Sequence, residues 1–200
     1  MDKYPNIKTQ HDVLVRTDRL LLRPVATEDL SALHRMRLNP IVMQFMPGVE
    51  TEQEALNSYS LRRTELMMMQ DRFSFAVVLP VAERASELEA HKDKTVTGFV
   101  GITQPTKVFY IFNDKYWGSG FASEALQCFL ETYWKTFPSG LKGVDKRDRD
   151  HLEAHIYNGN DGSERVATKC GFVHVSDGFT SSHGREVRQK IFSLYRPLPS

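Results

Sequence analysis

A glycine-rich turn leads into a long amphipathic stretch at Asn113-Asp-Lys-Tyr-Trp-Gly-Ser-Gly-Phe-Ala-Ser-Glu124. The first N–H groups of a helix have no acceptor inside it, and the aligned peptide dipoles make that end positive. Such an end holds anions, phosphates above all. Gly118 and Gly120 remove side chains where a phosphate would approach backbone. Three phosphate-binding patterns compete for these residues. The Lys-Ser/Thr pair that closes a P-loop is absent. A dinucleotide-binding fingerprint needs a third glycine where Ser123 stands, and it normally opens a run of βαβ units, whereas several strands precede this turn. A pyrophosphate cradle of the acyl-CoA kind fits both the turn and its position. The plain alternative is a glycine lead-in to a helix with no ligand.

A second group of reactive side chains lies in residues 151–172. Leu152-Glu-Ala-His-Ile156 alternates as a strand does, so Glu153 and His155 face one side. If that side meets a substrate, His155 has the titration range of a proton handler and Glu153 can act through a water. The two can instead face solvent or pair with each other. Asn160 stands where a helix N-cap belongs, and Ser163 falls in the first turn, where serines readily bond to backbone. His151 and His155 invite a metal reading. On a strand, however, a four-residue spacing is about 13 Å, too far for one zinc. Gly118-Ser119-Gly120 lacks the Gly-x-Ser-x-Gly elbow of a serine hydrolase. No metal site is expected.

These groups need a scaffold, and the periodicities supply one. From residue 120 to 137, apolar side chains recur at Ala122, Ala125, Leu126, Phe129, Leu130, Tyr133 and Phe137, the spacing of one helix face. Residues 19–24, 73–79, 95–102, 107–112 and 152–156 read as strands. Residues 172–175 and 187–195 read as a closing pair. Thr27 is placed to cap a helix that Asn39-Pro40 ends. Thr51-Glu-Gln-Glu54 opens a further helix to about Met69. Residues 80–94 read as a solvated insert. A short helix over 161–170 carries Asn160 before it and Gly171 after it. Glu124, in the first turn of the long helix, suits the positive end there. Strands joined by tight turns are thus mixed with strands joined by helices, which predicts one mixed α/β domain.

Composition narrows the function. The 200 residues include 26 Lys plus Arg against 25 Asp plus Glu, a net charge of +1. That balance lacks the basic excess of a dedicated nucleic-acid binder. Two cysteines, Cys128 and Cys170, cannot build a disulfide framework and read as reduced packing residues. No run approaches the roughly 20 apolar residues that span a bilayer. A cytoplasmic protein is expected, with no nucleic-acid or membrane partner.

Three stretches resemble one family. Lys115-Tyr-Trp-Gly-Ser-Gly-Phe-Ala-Ser-Glu-Ala125 resembles the CoA-binding motif of the GNAT superfamily of acyl-CoA-dependent N-acyltransferases, nearest the branch that contains the ribosomal-protein alanine acetyltransferases. Thr17-Asp-Arg-Leu-Leu-Leu-Arg-Pro24 resembles that branch's opening strand. Glu153-Ala-His-Ile-Tyr-Asn-Gly-Asn-Asp-Gly-Ser-Glu-Arg-Val-Ala-Thr-Lys-Cys-Gly-Phe172 resembles its second motif, a strand, then Asn-x-x-Ser, then a short helix ending in Gly-Phe. The three occur in the family's order. The chain departs from the pattern at Lys115 (Gln or Arg in many members), at Phe109 (often Gly in this branch), at Cys170 (usually aliphatic) and in the longer linker before Asn160.

The resemblance implies a single domain over 15–197 behind an extension at 1–14. Its central sheet would be mixed, largely antiparallel, flanked by helices and splayed at the acyl-CoA site. It implies acetyl-CoA as co-substrate, with the backbone of Gly118, Ser119, Gly120, Phe121 and Ala122 on the pyrophosphate and Lys115 and Ser123 beside it. Ile111, Phe112 and Asn113 would partner the pantetheine arm, and Asn160 and Ser163 would lie at the thioester end. Ser163 would protonate the leaving thiolate, and Glu153 and His155 are the proton acceptors to consider. The reaction would be direct acetyl transfer to a primary amine, on a protein N-terminus or a small molecule. At pH 7 a lysine amine costs about 4.6 kcal/mol to deprotonate and an α-amine about 1 kcal/mol, which leans towards the α-amine. Residues 43–50 and 179–185 are the loops expected to shape the acceptor pocket. The alternative is a non-catalytic acyl-CoA-binding or interaction module, which would release no thiol when offered an amine. A monomer or a homodimer fits either.

Overall fold

The computed structural model describes residues 13–45, 73–80, 96–104, 106–141, 144–145, 148–182 and 185–197. The helix expected over 51–69 and all but Pro80 of the insert expected over 80–94 lie outside these residues.

Eight strands make one sheet: Val15–Arg16 (β1), Leu21–Pro24 (β2), Ser74–Val78 (β3), Val96–Gln104 (β4), Lys107–Phe112 (β5), His151–Tyr157 (β6), Val173–Ser182 (β7) and Arg185–Tyr195 (β8). Their order is β1-β2-β3-β4-β5-β6-β8-β7. Every neighbouring pair is antiparallel except β5 and β6, which run parallel. The described helices are Leu30–Leu38 (α1), Pro40–Met43 (α2), Phe121–Thr136 (α3) and Asp161–Lys169 (α4). Among the described residues no helix is long and apolar enough to cross a membrane.

Strand alternation sorts the core into two layers. On one face Leu22, Phe75, Val77, Val100, Ile102, Val108 and Phe112 meet Ala125, Leu126, Phe129 and Tyr133 of α3, with Ala167 of α4 alongside. On the other, Ala76 and Phe99 meet Ala32, Leu33 and Met36 of α1, with Phe109 and Ile111 packed against them. Phe109 therefore fills the α1 side of β5. Rings tie α3 to β3: the Phe73 centroid lies 5.0 Å from Phe75, 5.7 Å from Phe129 and 5.1 Å from Phe137. Both cysteines are buried and reduced.

Several local expectations are corrected. The strand expected over 19–24 is β2 and begins at Leu21, because residues 18–19 bend; the short β1 at Val15–Arg16 precedes it. Thr27 makes no cap: residues 27–29 form a 3-10 turn, and the N-cap of α1 is Asp29, whose carboxylate is taken by Arg23 instead (2.6 and 2.7 Å) and by the Ala26 N–H (2.8 Å). Pro40 does not simply stop a helix. It opens α2, where Asn39 Oδ1 accepts the Ile41 N–H. The closing hairpin is far longer than 172–175 with 187–195. β7 pairs with β8 from Val173↔Ser193 to Ser182↔Arg185, so most of the presumed acceptor loop at 179–185 is strand.

The α3–β3 aromatic contact fixes the layer that carries the site. Phe129→Ala is expected to lower the unfolding free energy by about 3–5 kcal/mol, and the exposed Lys135→Ala by less than about 0.5 kcal/mol. Urea melts check this: the midpoint moves and the slope does not.

Candidate active site

β5 and β6 pair only at Lys107↔Glu153 and Val108↔Ala154. Yet β5 stays paired with β4 as far as Phe112, and β6 with β8 as far as Tyr157. The sheet therefore opens towards the carboxyl ends of its two parallel strands, the edge at which open α/β sheets take ligands. Each strand then runs on to a helix, β5 to α3 and β6 to α4. Asn113 donates its N–H across to Thr97 O (2.9 Å). By antiparallel alternation the Ile111 backbone also turns to β4, while Tyr110 and Phe112 present theirs to the opening. The backbones of Tyr110 and Phe112 thus face the opening, and those of Ile111 and Asn113, expected to partner the pantetheine arm, face β4. The Phe112 carbonyl is already held by Trp117 Nε1 (2.9 Å). The Tyr110 hydroxyl reaches over to α4 and donates to Ser163 O (2.7 Å); burial pushes its pKa well above the phenol range, so it is a neutral donor.

At the head of α3 the turn has the form the phosphate reading needs. Gly118 and Gly120 have φ of +75° and +82°, where other L residues are strained. A Cβ at Gly118 would meet nothing within 4 Å, so conformation, not space, selects glycine there. Gly120 is the N-cap and offers no side chain. The first bond inside the helix runs from Glu124 N to Gly120 O (3.1 Å), which leaves the N–H groups of Phe121, Ala122 and Ser123 without a helical acceptor. Gly118, Ser119 and Gly120 are exposed, as is Lys115, whose N–H is capped by Asn113 Oδ1 (3.1 Å). Ser123 O accepts the buried Cys170 thiol (3.4 Å), whose pKa burial pushes up to about 11.

Arg19 completes this turn, a role that no local pattern signals. Its Nε donates to Glu124 Oε2 (2.7 Å), its Nη1 to Ser119 O (3.0 Å), and its guanidinium lies 4.8 Å over the Phe121 ring. Thr17 Oγ1 donates to the other Glu124 oxygen (2.5 Å). Glu124 is thus drawn to Arg19 and Thr17 rather than serving the helix end, as its position suggested. Burial alone would raise its pKa; the hydrogen bonds from Thr17 and Arg19 and the Arg19 charge outweigh that and lower it. The two partners lie 107 and 105 residues away, beyond any local pattern.

On β6 the side chains of His151, Glu153 and His155 share the α1 face, opposite Leu152, Ala154 and Ile156. Glu153 and His155 pair with each other: Nε2 of His155 is 2.8 Å from Glu153 Oε2. His151 Nε2 lies 3.4 Å from Oε1. Burial raises the Glu153 pKa, but the hydrogen bond from His155, together with the charges that His155 and His151 carry when protonated, brings it below the ordinary value. Gln189 of β8, absent from the sequence reading, puts Nε2 3.1 Å from His155 Nδ1. Asn160 is the N-cap of α4, with Oδ1 accepting from Ser163 N (3.1 Å). Among the described residues the Ser163 hydroxyl has no protein partner. Ser163 belongs to the face that carries α4 and the Glu153–His155 pair to the face that carries α1, so these three candidates come from opposite sides of the opening.

The family described as the acetyltransferase (GNAT) domain matches residues 19–173. Among solved structures, the chain is similar to a GNAT-family acetyltransferase from Bacillus anthracis at 21% identity and a TM-score of 0.66, over 92% of this chain and 98% of that one. It is similar to a ribosomal-protein-S5-alanine acetyltransferase from Vibrio fischeri at 18% and 0.63, over 92% and 97%. It is also similar to a spermidine N-acetyltransferase from Vibrio cholerae, in complex with CoA and spermine, at 17% and 0.62, over 90% and 97%. No curated protein matches in sequence. At these identities the structural likeness shows a shared fold.

Glu124 and Glu153 both have folded-state pKa values below the ordinary one. The unfolded chain therefore binds more protons as the pH falls, and stability drops in that direction. Thermal melts are expected to hold above about pH 5 and to fall progressively towards pH 3. Glu124→Gln should melt lower at pH 7 and lose part of that acid dependence.

Proposed function

The chain belongs to the GNAT acetyltransferase family and is an acyl-CoA-dependent acetyltransferase, and from that premise we propose that it transfers the acetyl group of acetyl-CoA directly to a primary amine, on a protein N-terminus or a small molecule. The observation that carries this reading is the opening between β5 and β6, with the free N–H groups of α3 beyond the end of β5. The names of two similar structures, a spermidine and a ribosomal-protein-alanine acetyltransferase, are in keeping with an amine acceptor. Residues 15–197 would form the acetyltransferase domain behind an extension at 1–14, in a cytoplasmic setting.

Acetyl-CoA supplies a thioester whose acyl carbon an amine can attack. The chain would hold its pyrophosphate on the N–H groups of Phe121, Ala122 and Ser123 and on the backbone of Gly118, Ser119 and Gly120, whose exposed turn leaves room for it. Lys115 and Arg19 add positive charge nearby. The backbone of Tyr110 and the N–H of Phe112 offer the pantetheine arm the bonds of a missing strand. Asn160 holds the head of α4, and Ser163, with its hydroxyl unengaged, donates a proton to the leaving sulfur. Glu153 takes the proton of the amine, directly or through a water, with His155 fixing its carboxylate. A carboxylate there also draws a cationic amine towards the opening. Phe109 and Ile111 line the α1 side of β5 with apolar surface. Alignment of the amine with the thioester supplies most of the acceleration.

Thiol release on adding a panel of amines to protein and acetyl-CoA tests the proposal. Turnover with at least one primary amine is expected. Ser163→Ala and Glu153→Gln should each lower kcat by about 10²-fold, in the range of a lost proton-transfer group. Gly120→Val, a β-branched residue at φ +82°, should abolish acetyl-CoA saturation. Saturable acetyl-CoA binding with no thiol released by any amine would instead mark a non-catalytic module.

A further inference from the structure

We propose that Gln189 is a positioning residue that fixes which ring nitrogen of His155 carries the proton, and so leaves the Glu153 carboxylate as the group that accepts the proton of the amine. The kinetic half of this rests on the acetyl-transfer reading above; the structural half does not.

Gln189 is a buried amide, 8% exposed, in the middle of β8. The register Tyr157↔Gln189 and His155↔Ile191 puts it on the face of the sheet that carries His155. Its Nε2 lies 3.1 Å from His155 Nδ1. An amide nitrogen only donates, so Nδ1 must offer its lone pair. The proton of the neutral imidazole then sits on Nε2, which points at Glu153 Oε2 from 2.8 Å and donates to it. The partner of one ring nitrogen thus sets the state of the other.

This arrangement divides the labour between the two residues. His155 has no lone pair left for an incoming proton: one nitrogen carries hydrogen and the other is covered by Gln189. Glu153 keeps spare acceptor capacity, because an ionised carboxylate has about four lone-pair sites, and His155 on one oxygen and His151 on the other engage only part of them. The charged and titratable groups around the pair are His151 and Tyr157 on β6, Lys107 opposite Glu153 on β5, and Tyr195 opposite His151 on β8. In the proton step the neutral amine has bonded to the acyl carbon and its nitrogen has become positive; the bond broken is N–H of that nitrogen, its electron pair staying on nitrogen, and the bond formed is O–H on Glu153, while His155 keeps its own proton throughout.

The ring nitrogens of His155 can be read directly by nitrogen–proton NMR on the intact protein, without any turnover. In the wild type, a neutral ring protonated at Nε2 is expected. Gln189→Leu should give a mixture of tautomers. Gln189→Glu, close to isosteric and able to accept from Nδ1–H, should hold the ring doubly protonated at pH 7; it also serves if the Leu variant does not fold. A wild-type ring protonated at Nδ1, or tautomers unchanged in both variants, would overturn the proposal. The pH dependence of kcat in the thiol-release assay gives the second readout. The wild-type acid limb should lie in the carboxylate range. In Gln189→Leu, where the freed Nδ1 lone pair can take a proton, the acid limb should move to higher pH, with kcat lowered about tenfold and the KM for acetyl-CoA unchanged. Identical profiles would contradict the positioning role, and a merely structural effect would lower kcat without moving the limb. Absence of turnover in the wild type would count against the acetyl-transfer reading and leave the NMR result to decide the tautomer.

Discussion

Two neighbouring parallel strands that pair over two residues and then part govern the rest of this structure. β5 is gripped along its length by β4, and β6 by β8, so each follows the twist of its own half-sheet. Only the start of the pair is pinned, by Lys107↔Glu153, Val108↔Ala154 and the bond from Glu153 N to Thr106 O (2.7 Å). Backbone polar groups inside a protein need partners. A sheet that opens its middle therefore carries unmet donors and acceptors at a fixed place. Some are met internally, as when the Trp117 indole takes the Phe112 carbonyl. The opening is held by side chains that reach past it, above all Tyr110, which runs from β5 to the first turn of α4.

The second constraint is electrostatic. A helix end that binds an anion has to stay positive, and α3 carries a carboxylate, Glu124, in its first turn. Arg19 and Thr17 bind that carboxylate from the segment before β2. Exposed ion pairs contribute little to stability. The larger consequence is positional: Glu124 is kept off the free N–H groups, and a guanidinium is left beside the turn. Asp29 shows the same pattern, since its carboxylate serves Arg23 and not the start of α1. On the other face, Glu153 is held between histidines and stays ionised where a cationic amine would approach.

The legible parts of the sequence were those with dense local information. The period of α3 placed it within a residue at each end, because Gly120 and Phe137 bound a stripe that buries Leu126, Phe129 and Tyr133. Residues 107–112 read as the strand they form, and Asn160 as the cap of α4. The closing hairpin was under-read for a physical reason. Ser176-Asp-Gly and Thr180-Ser-Ser look like turn residues, yet pairing with β8 holds them in a half-exposed edge strand, where context outweighs propensity. Arg19 and Gln189 were invisible because their partners lie far off in sequence. The family's splayed sheet was expected by resemblance. Which backbones face the opening depended on a register that no local pattern sets: those of Tyr110 and Phe112 do, and that of Ile111 turns to β4.

The central claim is that the opening between β5 and β6, with the head of α3 beyond it, is a site for the phosphates and arm of acetyl-CoA. Calorimetric titration of the purified protein with acetyl-CoA, with ATP and NAD as controls, tests it most directly. Saturable, one-to-one binding of acetyl-CoA, with no comparable heat from ATP or NAD, is the predicted result. No binding at millimolar acetyl-CoA, or equal binding of all three, would contradict it.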